Sequence, residues 1–271
     1  MIDRPLVMGI LNVTPDSFSD GGRFYSFDDA LKRAEQMIAE GAGIIDIGGE
    51  STRPGSEQID PEVEIQRTLP VVSALAKRFE VPISADTSKS KVARALLDGG
   101  AEIINDISGL RWDPKIAGLA AETGAGLVLM HSRGDFGEMH TLPVVADIFS
   151  DIGAEFTTAL TLAREAGVAD EQIALDVGIG FGKTPVQNLE LIAKLDDLIA
   201  EFPAFRMLVG ASRKSFIGKL LDIPDPANRL SASLAAAVIA AWNGASILRV
   251  HDVRETVEAL RMVDALRKVG N

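Results

Sequence analysis

Eight short apolar runs, most of them ending on or beside a polar residue, constrain this chain more than any other feature of it. They are LVMGIL (6–11), IIDIG (44–48), PISAD (82–86), EIIND (102–106), GLVLMH (126–131), QIALD (172–176), RMLVG (206–210) and SILRV (246–250). Their apolar residues are consecutive and rich in Val, Ile and Leu, the pattern of strands covered on both faces of a parallel sheet. Between them lie stretches of helical period, such as DDALKRAEQMIAEG (28–41) and SKVARALLDGG (90–100), ending on glycine as helix C-termini often do. The last, ETVEALRMVDALRKV (255–269), sets Val257, Leu260, Val263 and Leu266 about one turn apart. No low-complexity run, Pro/Ser-rich linker or long charge block interrupts the alternation, so residues 1–271 are expected to form one domain. Roughly eight strand–helix units in 271 residues predict an α/β fold, a single-domain (β/α)8 TIM barrel, with an open doubly wound sheet as the competitor.

In a parallel barrel every strand C-terminus opens onto one mouth, where catalytic groups collect. Here the first run leads into Asn12 and NVTPDSFSDGG, the second holds Asp46 and enters GGESTRPG, and the third ends at Asp86-Thr87. The fourth holds Asn105 and Asp106, the fifth ends at His131, and the sixth ends at Asp176 before VGIGFGK. The seventh opens into GASRKSFIG, and the eighth carries Arg249, His251 and Asp252. The opposite ends, AEGAG, LLDGGAE and AAETGAG, carry little comparable chemistry, an asymmetry that points to an enzyme. Taken singly, each residue has a plainer explanation. Asp86 can be the N-cap of the next helix, His131 a satisfied structural histidine, His140 a loop residue, and the glycine-rich segments simply turns. Asp46, between Ile45 and Ile47, and Asn105, between Ile104 and Asp106, are expected to be buried and therefore to need hydrogen-bond partners. His251 leaves the same strand end as Arg249, which favours a functional role.

Composition narrows the partners. With 27 Lys and Arg against 39 Asp and Glu, the net charge of −12 repels nucleic acid and anionic lipid, so neither is expected as a partner. Hydrophobic residues at 46% and charged residues at 24% fit a soluble globular protein, and no apolar run approaches the roughly 18 residues of a membrane span. The start, MIDRPLVMGILNV, lacks the features of a signal peptide, so a cytoplasmic enzyme is expected. The absence of cysteine excludes disulfides, thiolate zinc sites, iron–sulfur clusters and cysteine nucleophiles. Against this acidic background, Arg53, Lys214, Arg249 and His251 put positive charge at the mouth, suiting a phosphorylated substrate. Asp86, Asn105 and Asp176 suit a planar heterocycle with adjacent N–H donors. The composite target is a nitrogen heterocycle joined to a phosphate or pyrophosphate. No HExxH, Walker A, Rossmann or Ser-His-Asp pattern competes with this reading, and GIGFGK has the wrong spacing for a phosphate loop.

The segments MGILNVTPDSFSDGGRF (8–24), AGIIDIGGESTRPGS (42–56), PISADTSKSKVARAL (82–96), AEIINDISG (101–109), LDVGIGFGKT (175–184), GASRKSFIG (210–218) and ILRVHDV (247–253) together resemble the dihydropteroate synthase family, in order and across nearly the whole chain. The resemblance implies a (β/α)8 barrel, a homodimer, and a Mg2+-dependent transferase of folate biosynthesis. Its reaction joins 7,8-dihydropterin-6-ylmethyl diphosphate to 4-aminobenzoate, giving 7,8-dihydropteroate and pyrophosphate, and sulfonamides inhibit it. By motif, Asp86, Asn105, Asp176 and Lys214 resemble the pterin-holding residues, with Arg249 on the ring face and Asp46 supporting the pocket from deeper in the barrel. Asp86, Asp176, Lys214 and Arg249 are the catalytic set this implies. Asn12, Arg53, Arg249 and His251 resemble the diphosphate residues, with Asn12 the contact to magnesium. Phe18, Thr52, Arg53, Pro54, Phe181 and Ser215 resemble the walls of the aminobenzoate pocket. Two departures stand out: Val177 follows Asp176 where the family usually has proline, and Ser132-Arg133-Gly134 follows His131 where many members have Met-Gln-Gly. The competing readings are a pterin-binding methyltransferase of the methyltetrahydrofolate–corrinoid type and a non-catalytic barrel paralogue. The first has no need for NVTPDSFSDGG, STRPG or SRKSFIG, and the intact set of charged mouth residues argues against the second.

Overall fold

Strands β1 (Leu6–Asn12), β2 (Ile44–Gly48), β3 (Ile83–Asp86) and β4 (Ile103–Asp106) are joined by helices α1 (Phe27–Ala39), α2 (Pro61–Ala76) and α3 (Ser90–Asp98). Helix α4 (Lys115–Thr123) leads to β5 (Gly126–Met130), and α5 (Ile148–Glu165) leads to β6 (Ile173–Asp176). Two helices, α6 (Pro185–Ala193) and α7 (Leu195–Glu201), precede β7 (Arg206–Val209). Helices α8 (Ser215–Leu221) and α9 (Leu230–Trp242), separated by a 3-10 turn, precede β8 (Ile247–Val250), and α10 (Val253–Gly270) ends the fold. This computed structural model describes residues 4–14, 27–52, 56–138 and 141–270. All strand pairs are parallel and β8 pairs with β1, closing the barrel in sequence order. The open sheet is thereby excluded.

The strand runs fall within a residue of their predicted bounds, the slip expected at element ends. The doubled helices after β6 and β7 are not visible as separate units in the sequence pattern. Consecutive apolar residues arise because each strand has two buried faces. Outward residues such as Ile45, Ile47, Ala85, Ile104, Leu127 and Leu175 pack under the helices. Gly9 faces Met37 of α1 and Val253 of α10: a Cβ there would stand 2.9 Å from Met37 Sδ and 3.2 Å from Val253 Cγ2. Inward residues Met8, Ile44, Val128, Ala174, Leu208 and Ile247 fill the barrel's lower interior. One pleat further along, the inward positions are Asp46, Asp86, Asn105, Asp176 and Arg249. A period of two in the strands therefore sets a polar layer directly above an apolar plug.

Candidate active site

The polar layer forms the floor of a cavity of about 610 Å³ at the C-terminal mouth. Asn12, Thr52, Asp86, Asn105, Asp176, Phe181, Lys214, Ser215, Arg249 and His251 all line it. Asp46 lies beneath, fully buried, and is tied to the layer by its neighbours. Phe18, Arg53, Pro54 and His140 lie outside the described residues.

Arg249 organises the floor. Its Nε donates to Asp46 Oδ2 at 2.6 Å, and its Nη2 donates to Asp86 Oδ2. Asn105 Nδ2 donates to the same Asp46 oxygen at 3.1 Å. Asp86 is thus not a helix cap; the residue before α3 is Lys89. Burial disfavours the Arg249 guanidinium, but the two carboxylates outweigh it and hold it firmly charged. Burial pushes the Asp86 carboxyl up to about 7 against the pull of Arg249. Two buried acceptors, Asp46 Oδ1 and Asn105 Oδ1, have no hydrogen-bond partner among the described residues. Each such group costs about 1–3 kcal/mol unless a donor arrives, so the floor is built to receive N–H groups.

Asp176 stands across the floor from this cluster, its Oδ1 accepting from Gly178 N at 2.8 Å. Burial raises its carboxyl pKa, while that backbone bond, Lys214 and Arg249 act the other way. Val177 is fully buried and leaves that turn intact. Lys214, immediately before α8, holds its Nζ 4.0 Å from the centre of the Phe181 ring. Burial, with Arg249 nearby, lowers its ammonium to about 8. His251 Nδ1 is 3.1 Å from Ser212 Oγ, and its carbonyl accepts from Arg33 Nη2 at 2.8 Å. Burial and the charges of Arg249 and Arg213 push its pKa down to about 3, so the ring is neutral at pH 7. Its part in a cationic mouth is therefore that of a hydrogen-bonding group. Two further cations line the cavity: Arg213, at φ 58, pairs with Asp252 at 2.5 and 3.0 Å, and Arg229 donates to the carbonyls of Ile223 and Arg213.

Asp106 turns out to close a turn: its carboxylate accepts from Ser108 N, Ser108 Oγ and Leu110 N at 2.7–2.8 Å. His131 is a buried structural histidine, with Nε2 3.2 Å from Asp151 Oδ2 and Nδ1 2.8 Å from Lys183 Nζ. An ammonium only donates, so Nδ1 accepts and the ring proton sits on Nε2. Burial and Lys183 lower the His131 pKa to about 4; burial likewise lowers Lys183 to about 7. The departure after His131 is absorbed locally. Ser132 Oγ donates to Ile107 O at 2.7 Å and accepts from Arg111 Nη2 at 2.6 Å, and Arg133 Nη1 donates to Pro143 O at 2.6 Å.

Lys89 shapes the loop after β2. Its Nζ donates to Glu50 Oε1 at 2.7 Å, Glu64 Oε2 at 2.8 Å and Ile59 O at 2.9 Å, and Ile59 N donates to Glu50 Oε1 at 2.7 Å. Nothing in the sequence marks Lys89 apart from Lys91, which pairs with Glu62 on the exposed surface. Among the described residues no group of three or more His, Cys, Asp or Glu is placed to hold a metal ion.

A closed parallel barrel with a heterocycle-sized floor of carboxylates and amide, rimmed by cations, is the architecture of pterin-binding enzymes, and residues 8–251 match the pterin binding enzyme family. Dihydropteroate synthase of Escherichia coli K12 is 52% identical over 266 residues, covering 97% of this chain and 92% of that protein. That of Bacillus subtilis is 45% identical over 268 residues, covering 99% and 90%. The chain belongs to the dihydropteroate synthase family. Among solved structures, the Yersinia pestis dihydropteroate synthase in a sulfonamide drug complex superposes with a TM-score of 0.92 at 48% identity, covering 98% of this chain and 95% of that one. The Xanthomonas albilineans dihydropteroate synthase with 4-aminobenzoic acid gives a TM-score of 0.91 at 39% identity, covering 98% and 94%.

Proposed function

We propose that this site condenses 7,8-dihydropterin-6-ylmethyl diphosphate with 4-aminobenzoate, releasing pyrophosphate and 7,8-dihydropteroate. The observation that carries the reading is the orphaned acceptor Asn105 Oδ1 on the cavity floor, beside Asp86 and Asp176. A pterin ring presents adjacent N–H donors in one plane, which is what such a floor lacks. Lys214 and Arg249 bound the ring, and Asn12, Arg53, Arg249 and His251 face the diphosphate. Thr52, Phe181 and Ser215 take the aminobenzoate, where sulfonamides compete, and the family resemblance assigns Phe18, Arg53 and Pro54 to the same pocket.

The C–O bond to the diphosphate breaks with both electrons leaving on pyrophosphate, whose charge the cationic rim stabilises. The methylene cation that remains is delocalised into the electron-rich dihydropterin, beside the Asp86 and Asp176 carboxylates. The aniline nitrogen then attacks that carbon and sheds its proton to solvent, so no strong general base is required. The site fits Mg2+, which takes few protein ligands beside phosphates: Asn12 at the end of β1 would hold it, and no carboxylate cage that would compete lies among the described residues. When bound, the ion supplies charge neutralisation to the leaving diphosphate. Exposed Ile239 and Trp242 on α9, with Met262 and Leu266 on α10, supply the apolar face of a homodimer, which light scattering tests. The enzyme is assigned to the cytoplasm. Pyrophosphate release that requires both substrates tests the reaction; release without 4-aminobenzoate, or none with both, refutes it.

A further inference from the structure

Lys183 lies in the glycine-rich segment between β6 and α6 and does not line the cavity. Its Nζ sits among four acceptors: His131 Nδ1 at 2.8 Å, Gly178 O at 2.9 Å, Phe181 O at 3.1 Å and His131 O at 3.3 Å. Three converging carbonyls repel one another unless a cation stands between them. The two backbone segments are also in direct contact, since a Cβ on Gly178, at φ +65, would stand 1.9 Å from His131 O. His131 is a fixed anchor, held through Nε2 to Asp151 Oδ2 at 3.2 Å and near Glu155 at 3.7 Å, both on α5. On the far side of this hub Phe181 turns its ring toward Lys214 Nζ and packs on Ile107 and Met130.

We infer that Lys183 is a positioning residue for the aminobenzoate side of the site: anchored on His131, it holds the 177–184 segment so that the Phe181 ring stands against Lys214. The inference rests on the proposed aminobenzoate pocket. Most of the pterin side has separate support: Asp86, Asn105 and Arg249 are fixed by strand register and by one another, and Asp176, at the end of β6, meets the 177–184 segment only through its bond from Gly178 N. Loss of the ammonium therefore separates two quantities that a general loss of stability would move together. An acceptor at the Nδ1 position matters to Lys183, whereas the rest of the imidazole serves only to hold it there.

The test uses full-length wild type, Lys183→Met, His131→Asn and His131→Leu. The KM for 4-aminobenzoate is measured at saturating pterin diphosphate and Mg2+, and the Kd for pterin diphosphate by calorimetry without 4-aminobenzoate. Lys183→Met should raise that KM roughly tenfold or more, the scale of lost charge-assisted hydrogen bonds, while the pterin Kd moves less than about threefold. His131→Asn, whose Oδ1 replaces Nδ1 as acceptor, should recover most of what His131→Leu loses. If Lys183→Met fails to fold, the two His131 variants decide the matter. KM and Kd moving together, neither moving, or Asn and Leu behaving alike would overturn the inference alone. A wild type that does not turn over the two substrates would overturn the proposed reaction as well.

Discussion

Replacing Arg249 with methionine removes the one cation placed between two buried carboxylates. In the native floor Asp46 is fully buried, Asp86 is 16% exposed, and Arg249 donates to both. Methionine reaches only about as far as Nε and donates nothing, so the two carboxylates lose their shared cation and Asp46 keeps only its bond from Asn105, a change that costs about 3–5 kcal/mol. For a chain of this size, at roughly 2–4 °C per kcal/mol, the melting temperature at pH 7.5 should fall by about 6–20 °C relative to wild type. The loss should depend on pH in a defined direction. Asp86 already sits near pH 7 through burial, held down by Arg249 and pushed up by Asp46. Without the guanidinium the pair takes up one further proton when folded, while the unfolded carboxyls, with pKa near 3.9, stay ionised well above pH 5. A folded state that binds the extra proton gains about 1.4 kcal/mol for each unit of acidification. With that proton held throughout, the variant gains about 2.7 kcal/mol between pH 7.5 and 5.5, but wild type, with Asp86 near 7, itself gains about 1.9, so the variant should recover up to about 0.8 kcal/mol of its deficit. Calorimetric scans of both proteins at both pH values give the difference directly, since groups common to the two cancel. An equal deficit at the two values would refute the idea that Arg249 balances this carboxylate pair.

Asp86→Ala and Asp176→Ala should each lower kcat/KM by roughly 100-fold or more with folding preserved by circular dichroism, because ring donors or developing positive charge are left unmatched. Near-wild-type turnover would remove either from the catalytic set. Sulfonamides should inhibit competitively with 4-aminobenzoate, and Pro54→Ser should change the ratio of drug Ki to substrate KM, because discrimination is a difference of two affinities. An unchanged ratio would place that pocket edge elsewhere. Between pH 6.5 and 4 the unfolded chain protonates His131 while the folded protein refuses the proton, so wild type loses about 1.4 kcal/mol per unit at this site. His131→Asn, with nothing there to protonate, should lose stability less steeply over the same window, as read by urea denaturation.

The site's floor was legible because strands covered on both faces carry their chemistry at the last inward positions, and Asp46, Asp86, Asn105 and Asp176 each interrupt an otherwise apolar run. What the sequence withholds is pairing across the barrel. Arg249 meets Asp46 and Asp86 only because β8 closes against β1, across separations of 203 and 163 residues. Asp106 reads like its neighbour Asn105, yet strand alternation turns it away from the mouth and its carboxylate is consumed by the turn at Ser108 and Leu110. Lys183 is hidden for a different reason: GFGK reads as a turn, and its acceptors are mostly backbone carbonyls, which no pattern of side chains announces. A lysine embedded among glycines, with no exposed helix to solvate, was the available hint. Lys89 and the buried Glu64 on α2 are invisible for the same reason that ion pairs between successive β–α units generally are.

The Lys89 clasp has a consequence for how this barrel can change over evolutionary time. It joins Glu50 to Ile59, nine positions apart, so the connection between them is closed at its root by the scaffold. A connection tethered in this way can be lengthened at small entropic expense: going from about nine to about eleven residues adds roughly 0.2 kcal/mol of closure free energy. A change of length there leaves Asp46 and Asp86, on either side of the clasp, in register. Selection for a different guest can act on the rim of this enzyme almost independently of its floor.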